Sequence, residues 1–228
     1  MTRETEIEKG ILGYYAKLEG DPHHRYRSWE HCYRSFQRLR SAGKPSGRAL
    51  DNATLSLAFY LASWGMYRGS SLLLQKDYKV HAQVVSELLR NEYRNLWRID
   101  IDSHPETDLV MSLVARLKLI YEELGVSPTN TLVTKVILGT LGCVPAYDQF
   151  FIDGVTHWNR VMLSEYSPKF PAHYCRDSYE GLVQFCRTNH KALRRAQQYI
   201  NGRGLVYPSM KLVDMYFWNL GYHLNGYQ

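Results

Sequence analysis

No apolar run in this chain approaches the roughly 20 residues needed to cross a bilayer as a helix, so no membrane-spanning segment is predicted. Cysteine is scarce as well: Cys32, Cys143, Cys175 and Cys186 are the 4 in 228 residues, and no two form a CxxC pair. That spacing supports neither a zinc site nor an iron–sulfur cluster, and no catalytic metal is assigned. The thiols are read as reduced and structural, which fits a cytoplasmic protein. The 9 histidines supply no ligand set, because His23 and His24 share a basic loop and the others are scattered. Alternating strand patterns, internal repeats and low-complexity segments are also missing. Met1 opens onto the charged TRETEIEK instead of an apolar leader. A soluble, intracellular protein is expected.

Acidic residues are few between positions 23 and 48, where Glu30 faces Arg25, Arg27, Arg34, Arg38, Arg40, Lys44 and Arg48, interleaved with Tyr26, Trp29 and Tyr33. A second basic group is Lys191, Arg194, Arg195 and Arg203. Each is a solvated face or part of a phosphate track. The net charge of +6 favours an acidic partner. At 45% hydrophobic and 13% aromatic residues, the chain can bury a substantial core.

Helical spacing dominates. Ile7, Ile11, Tyr14 and Leu18 mark a first helix; Leu109, Leu113, Leu117, Ile120 and Leu124 mark another. Val80, Val84 and Leu88 mark a helix running toward Trp97, Tyr179 to Leu193 a long one, and Met210, Val213, Phe217 and Leu220 the last. An all-α protein of eight to ten helices is predicted, with short breaks at 42–46, 99–106, 166–171 and 202–208.

Residues 124–148, LGVSPTNTLVTKVILGTLGCVPAYD, read as a tight hairpin, a helix, and a carboxylate just past it. The break from Gly125 to Pro128 turns the chain, and Thr129 or Asn130 caps the next helix, leaving backbone N–H groups where a phosphate can bind. Gly139 and Gly142 end that helix, and Val144-Pro145 leads an extended step into Tyr147 and Asp148. Upstream, residues 55–75, LSLAFYLASWGMYRGSSLLLQ, read as an apolar helix, a Gly-broken loop, and a second helix capped by Ser70 or Ser71.

The 124–148 segment resembles the signature of the helix-hairpin-helix DNA glycosylases (endonuclease III, MutY and the 8-oxoguanine glycosylases), whose Leu-Pro-Gly-Val-Gly hairpin precedes a helix that leads to a catalytic aspartate. Gly125 and Asp148 stand 23 positions apart, as the family requires, although the Pro before the first Gly is missing and Ser127 replaces the second Gly. The stretch 61–66, LASWGM, is similar to the family's loop that wedges into the duplex. The resemblance implies two helical lobes around a cleft. The middle lobe would be about 50–125; the hairpin and catalytic lobe, about 126–228, would be joined by the N-terminal helices of 1–49.

The resemblance also implies Asp148 as the catalytic carboxylate and Gly125, Ser127, Thr129, Asn130 and Lys135 along the DNA phosphates. Trp64, Met66, Tyr67 and Arg68 would form the wedge and pocket wall, with Gln75, Asp77 and Tyr147 toward the flipped base. Family members that also cut the backbone carry a Lys in the first turn after the hairpin. A gap-free count puts Thr129 there, so a monofunctional enzyme is expected, and Lys135 is read as a surface or phosphate-facing lysine. The expected partner is double-stranded DNA bound by a monomer. No cofactor is expected beyond a structural monovalent cation at the hairpin. The ASWGMYRGSSLLLQKDY and LGTLGCVPAYD segments also resemble small bacterial anti-phage proteins, which points to a hypermodified, for example glucosylated, phage cytosine as the excised base. Excision of an oxidised, alkylated or deaminated base, and a non-catalytic helical DNA-binding role, remain open beside it.

Overall fold

The computed structural model describes residues 3–43, 45–69, 71–97, 106–161, 169–201 and 204–226. Among them there are ten α-helices and no strand: α1 (Arg3–Gly20), α2 (Arg27–Ser41), α3 (Gly47–Ser63), α4 (Ala82–Leu88), α5 (Thr107–Glu123), α6 (Asn130–Thr140), α7 (Gln149–Val161), α8 (Arg176–Thr188), α9 (His190–Asn201) and α10 (Ser209–Leu224). None of these helices is long and apolar enough to cross a membrane. Ile7, Ile11, Tyr14 and Leu18 bury one face of α1, which packs on α9 and α10. Helix α3 packs against α2, α4 and α6, helix α7 packs against α10, and one continuous set of buried apolar side chains joins the whole.

Two helix ends that lead to the site are built alike. At the end of α3, Gly65 takes φ +74 and the Met66 N–H donates to Leu61 O at 2.9 Å; at the end of α5, Gly125 takes φ +70 and Val126 N–H donates to Tyr121 O at 2.8 Å. Both are left-handed glycine caps that satisfy carbonyls the helix would otherwise leave open.

Helix α6 follows, with the Thr129 hydroxyl accepting from Leu132 N at 3.1 Å. Every residue from Leu132 to Thr140 is buried, so beyond Asn130 and Thr131 α6 has no polar outer face. The predicted stop at Gly139 is overtaken: α6 continues to Thr140, and Gly139 serves close packing, since a Cβ there would lie 2.5 Å from the Tyr60 ring. Gly142, at φ +73, makes the turn instead.

Two other expectations are corrected. The helix read through Val80, Val84 and Leu88 toward Trp97 is broken: α4 is flanked by 3-10 turns at Tyr78–His81 and Asn91–Trp97. Asp77 tightens the first by accepting from Lys79 N at 2.8 Å, and Glu87 anchors the second through Tyr93 and Arg90. The helix expected after Ser70 or Ser71 is one 3-10 turn, Leu72–Gln75, capped by Ser71. Ser70 lies outside the described residues, as do Lys44 and Arg203 of the basic groups.

Beside α4, His81 is fully buried between two tyrosines, its Nε2 2.6 Å from the Tyr67 hydroxyl and its Nδ1 2.7 Å from that of Tyr121. Burial pushes its imidazole from the usual 6.5 down to about 4. A histidine held neutral contributes stability that is complete above its unfolded value and is lost as pH falls through 6.5 toward 4. That gap corresponds to roughly 3 kcal/mol. Denaturant unfolding measured from pH 7.5 to 4 is expected to show this loss, and His81→Asn should flatten it; an equal slope in both proteins would assign the acid sensitivity elsewhere.

Candidate functional site

The site begins with the loop that follows α6. Thr131 on the first turn of α6 donates its hydroxyl to Tyr147 O at 2.8 Å, and the Thr134 hydroxyl accepts from Tyr147 N at 3.1 Å. From the other side the Ala146 N–H donates to Asp214 Oδ1 of α10 at 3.0 Å. This lashing delivers Asp148 to the start of α7, where its Oδ1 accepts from Phe151 N at 3.2 Å. Its Oδ2 forms an ion pair with Lys135 Nζ at 3.0 Å, with side-chain exposures of 15% for Asp148 and 5% for Lys135.

Lys135 is therefore not the surface lysine expected from sequence. It stands in the buried part of α6 and is spent on Asp148, on the Trp64 carbonyl oxygen at 3.4 Å, and on the Trp64 ring, 5.3 Å from its centroid.

The pair floors a cleft of about 390 Å³ whose walls include Arg25, Trp64, Met66, Arg68, Thr131, Phe150 and Trp218. A neighbouring groove of about 370 Å³ shares Gly65, Met66 and Arg68 and runs along Val126, Ser127 and Thr129 of the hairpin. Trp64, Met66, Arg68, Lys135 and Asp148 thus meet around one cleft, with the hairpin beside it. Trp64 is a wall of that cleft: its ring stacks on Tyr26 at 5.1 Å, Tyr26 stacks on Tyr14 at 4.5 Å, and the exposed Arg25 lies over Trp64 at 5.0 Å. Among the described residues, the buried indole N–H groups of Trp64 and Trp218 have no hydrogen-bond partner.

Other predicted site residues lie elsewhere. Tyr147 is buried and its hydroxyl meets Ser178 at 2.9 Å, so it faces the core and not the cleft. Tyr67 is committed to His81. Gln75 and Asp77 are exposed around 3-10 turns, where Asp77 is a cap. Gly125 shapes the hairpin, and Asn130 accepts from the Thr134 hydroxyl through its backbone carbonyl. The aromatic residues of the basic stretch, Tyr26, Trp29 and Tyr33, are buried, with Trp29 Nε1 donating to Leu138 O at 2.9 Å, so that stretch has no stacking face of its own. Arg195 of the second basic group pairs with Glu8 at 2.7 Å and Glu4 at 3.3 Å.

Phe150, Trp218 and the pair Lys211–Asp214 escaped the sequence reading, which named Arg25 only within the basic stretch. A signal for the last was present: two opposite charges at i and i+3 in SMKLVDMYFWNL, a stretch otherwise apolar. Among the described residues no three His, Cys, Asp or Glu side chains converge as a metal site would require. No protein-family model, curated protein or solved structure matches this chain.

Proposed function

We propose that this chain is a DNA glycosylase that flips a nucleotide out of the duplex and hydrolyses its base–deoxyribose bond with Asp148. The observation that carries the reading is the Lys135–Asp148 pair at 3.0 Å on the floor of an aromatic, cation-bearing cleft beside the hairpin. As the base departs, positive charge grows on the sugar, and a fixed carboxylate at that face stabilises it. Water then adds at the anomeric carbon, its proton leaves to solvent or to a base, and an abasic site remains. Trp64 and Phe150, which are only partly buried, would meet an extruded base, while the exposed Arg25 and Arg68 suit phosphates. The cleft volume of about 390 Å³ supports a substituted base, such as a hypermodified phage cytosine, over a small lesion, and excision of that base would serve anti-phage defence.

Lys135 holds Asp148 in this reading, and the reaction needs no amine nucleophile. Borohydride added during turnover is expected to trap no protein–DNA adduct; an adduct abolished by Lys135→Met would instead make the enzyme bifunctional. A second reading, a non-catalytic DNA-binding protein, draws on the other role of Asp148, whose Oδ1 caps α7. Incubation with lesion-bearing duplexes and with genomic DNA of phages carrying modified cytosines, followed by alkali, separates the two. Alkali-dependent breaks support the enzyme, and binding without breaks across the panel supports the second reading.

A further inference from the structure

Behind the Lys135–Asp148 pair lies a second one. Lys211 and Asp214 of α10 are 2.9 Å apart and both side chains are over nine-tenths buried. The two pairs line one inner cavity of about 10 Å³, together with Tyr60, Trp64 and Trp218. Lys211 Nζ also lies 4.9 Å from the Tyr14 ring centroid, 5.2 Å from that of Trp29 and 6.0 Å from that of Trp64. Trp64 is thus flanked by Lys135, Lys211 and Arg25.

A buried ion pair is a poor stabiliser, because desolvation offsets the attraction and a packed apolar pair of similar volume often does as well or better. Its place here suggests another use. Asp214 divides its oxygens: Oδ2 takes Lys211, and Oδ1 takes the Ala146 amide, two residues before Asp148. The loop that carries Asp148 is therefore hung on a charge inside α10.

We propose that Lys211–Asp214 is a positioning pair, which fixes Asp148 through the Ala146 amide and couples to it electrostatically across the inner cavity. The role given to Asp148 in excision rests on the glycosylase reading; the coupling between the pairs does not. The charged and titratable groups facing Asp214 are Lys211 on its own helix, Tyr14 on α1, Tyr60 on α3, Lys135 on α6, and Asp148. Burial raises the Asp214 carboxyl above its ordinary value, Lys211 opposes that rise and Asp148 adds to it.

Two readouts test the proposal. In carbon-13 NMR of labelled aspartate, the Asp214 midpoint should fall in Asp148→Asn and rise in Lys211→Met; a midpoint that ignores Asp148→Asn would overturn the coupling. In excision assays Asp214→Leu should lose roughly a hundredfold in kcat with KM for DNA little changed, since small misplacements of a reacting group cost about that much. Asp214→Asn, which can still accept the Ala146 N–H, should recover most of it. Equal losses in both would overturn the positioning role. The neutral double variant Lys211→Met/Asp214→Asn leaves no charge unpaired and replaces Asp214→Asn where that variant folds poorly: it should keep most of the wild-type kcat, and a hundredfold loss in it would overturn the positioning role. If no protein excises anything, the glycosylase reading fails while the NMR titration still decides the coupling.

Discussion

Asp148→Asn is expected to lower base excision by a hundredfold to a thousandfold while leaving DNA binding nearly intact. The substitution keeps the shape of the side chain, and the amide oxygen can still cap α7 at Phe151 N, so the loop and helix stay in place. What disappears is the negative charge that the glycosylase reading sets against the developing sugar cation, and removing one such electrostatic group commonly costs 10²–10³ in rate. Lys135, buried and deprived of its counter-charge, makes the fold pay something too, on the order of 1–3 kcal/mol for a charged hydrogen bond turned into a weaker one. Measuring single-turnover excision together with the denaturation midpoint separates the two effects. A variant that stays folded, binds DNA and cuts at the wild-type rate would remove Asp148 from the chemistry.

Gly221→Ala and Gly154→Ala should each destabilise the protein by about 3 kcal/mol or more, the upper end of what overpacking costs. In an open helix the same change would add roughly 0.5–1 kcal/mol of stability, so the sign itself is diagnostic. Here α7 and α10 touch backbone to backbone: a Cβ at Gly221 would sit 1.9 Å from the Phe150 carbonyl oxygen, and one at Gly154 2.0 Å from that of Phe217. Relief requires the two helices to move apart, which would shift Asp148 and Phe150 at the start of α7 along with Asp214 on α10. Urea unfolding is the check, with wild-type or greater stability in either variant meaning that this contact is looser than described.

How much of this was legible in the sequence depended on whether a residue's role was local. The buried faces of α1 and α5 followed from spacing, and the turn at Gly125 with a cap at Thr129 or Asn130 from residue type, Thr129 being the cap found; α10, buried all round from Ser209 to Asn219, has no single face for spacing to mark. The region from residue 78 to 97 did not, because its apolar spacing continues across breaks set by Asp77 and Glu87, whose partners periodicity cannot see. Trp64, Met66, Arg68 and Asp148 meet around one cleft, whereas Gln75, Asp77 and Tyr147 were misplaced for want of knowing which way each points. Lys135 is the instructive case. The sequence reading makes it a surface or phosphate-facing lysine, whereas α6 is buried from Leu132 to Thr140 and holds its ammonium against a carboxylate. Which carboxylate answers it was beyond local pattern, as was Lys211–Asp214, whose role depends on Ala146, 68 positions from Asp214 in the chain.

The Trp64 ring, stacked on Tyr26 and set among Arg25, Lys135 and Lys211, gives the cleft an optical reporter of its own. Fixed cations so close to an indole tune its emission, and an anionic or aromatic guest entering the cleft would alter that field before any bond is broken. Fluorescence lost from the total by Trp64→Phe would isolate its signal from the other four tryptophans. Arrival in the cleft can then be timed separately from whatever follows.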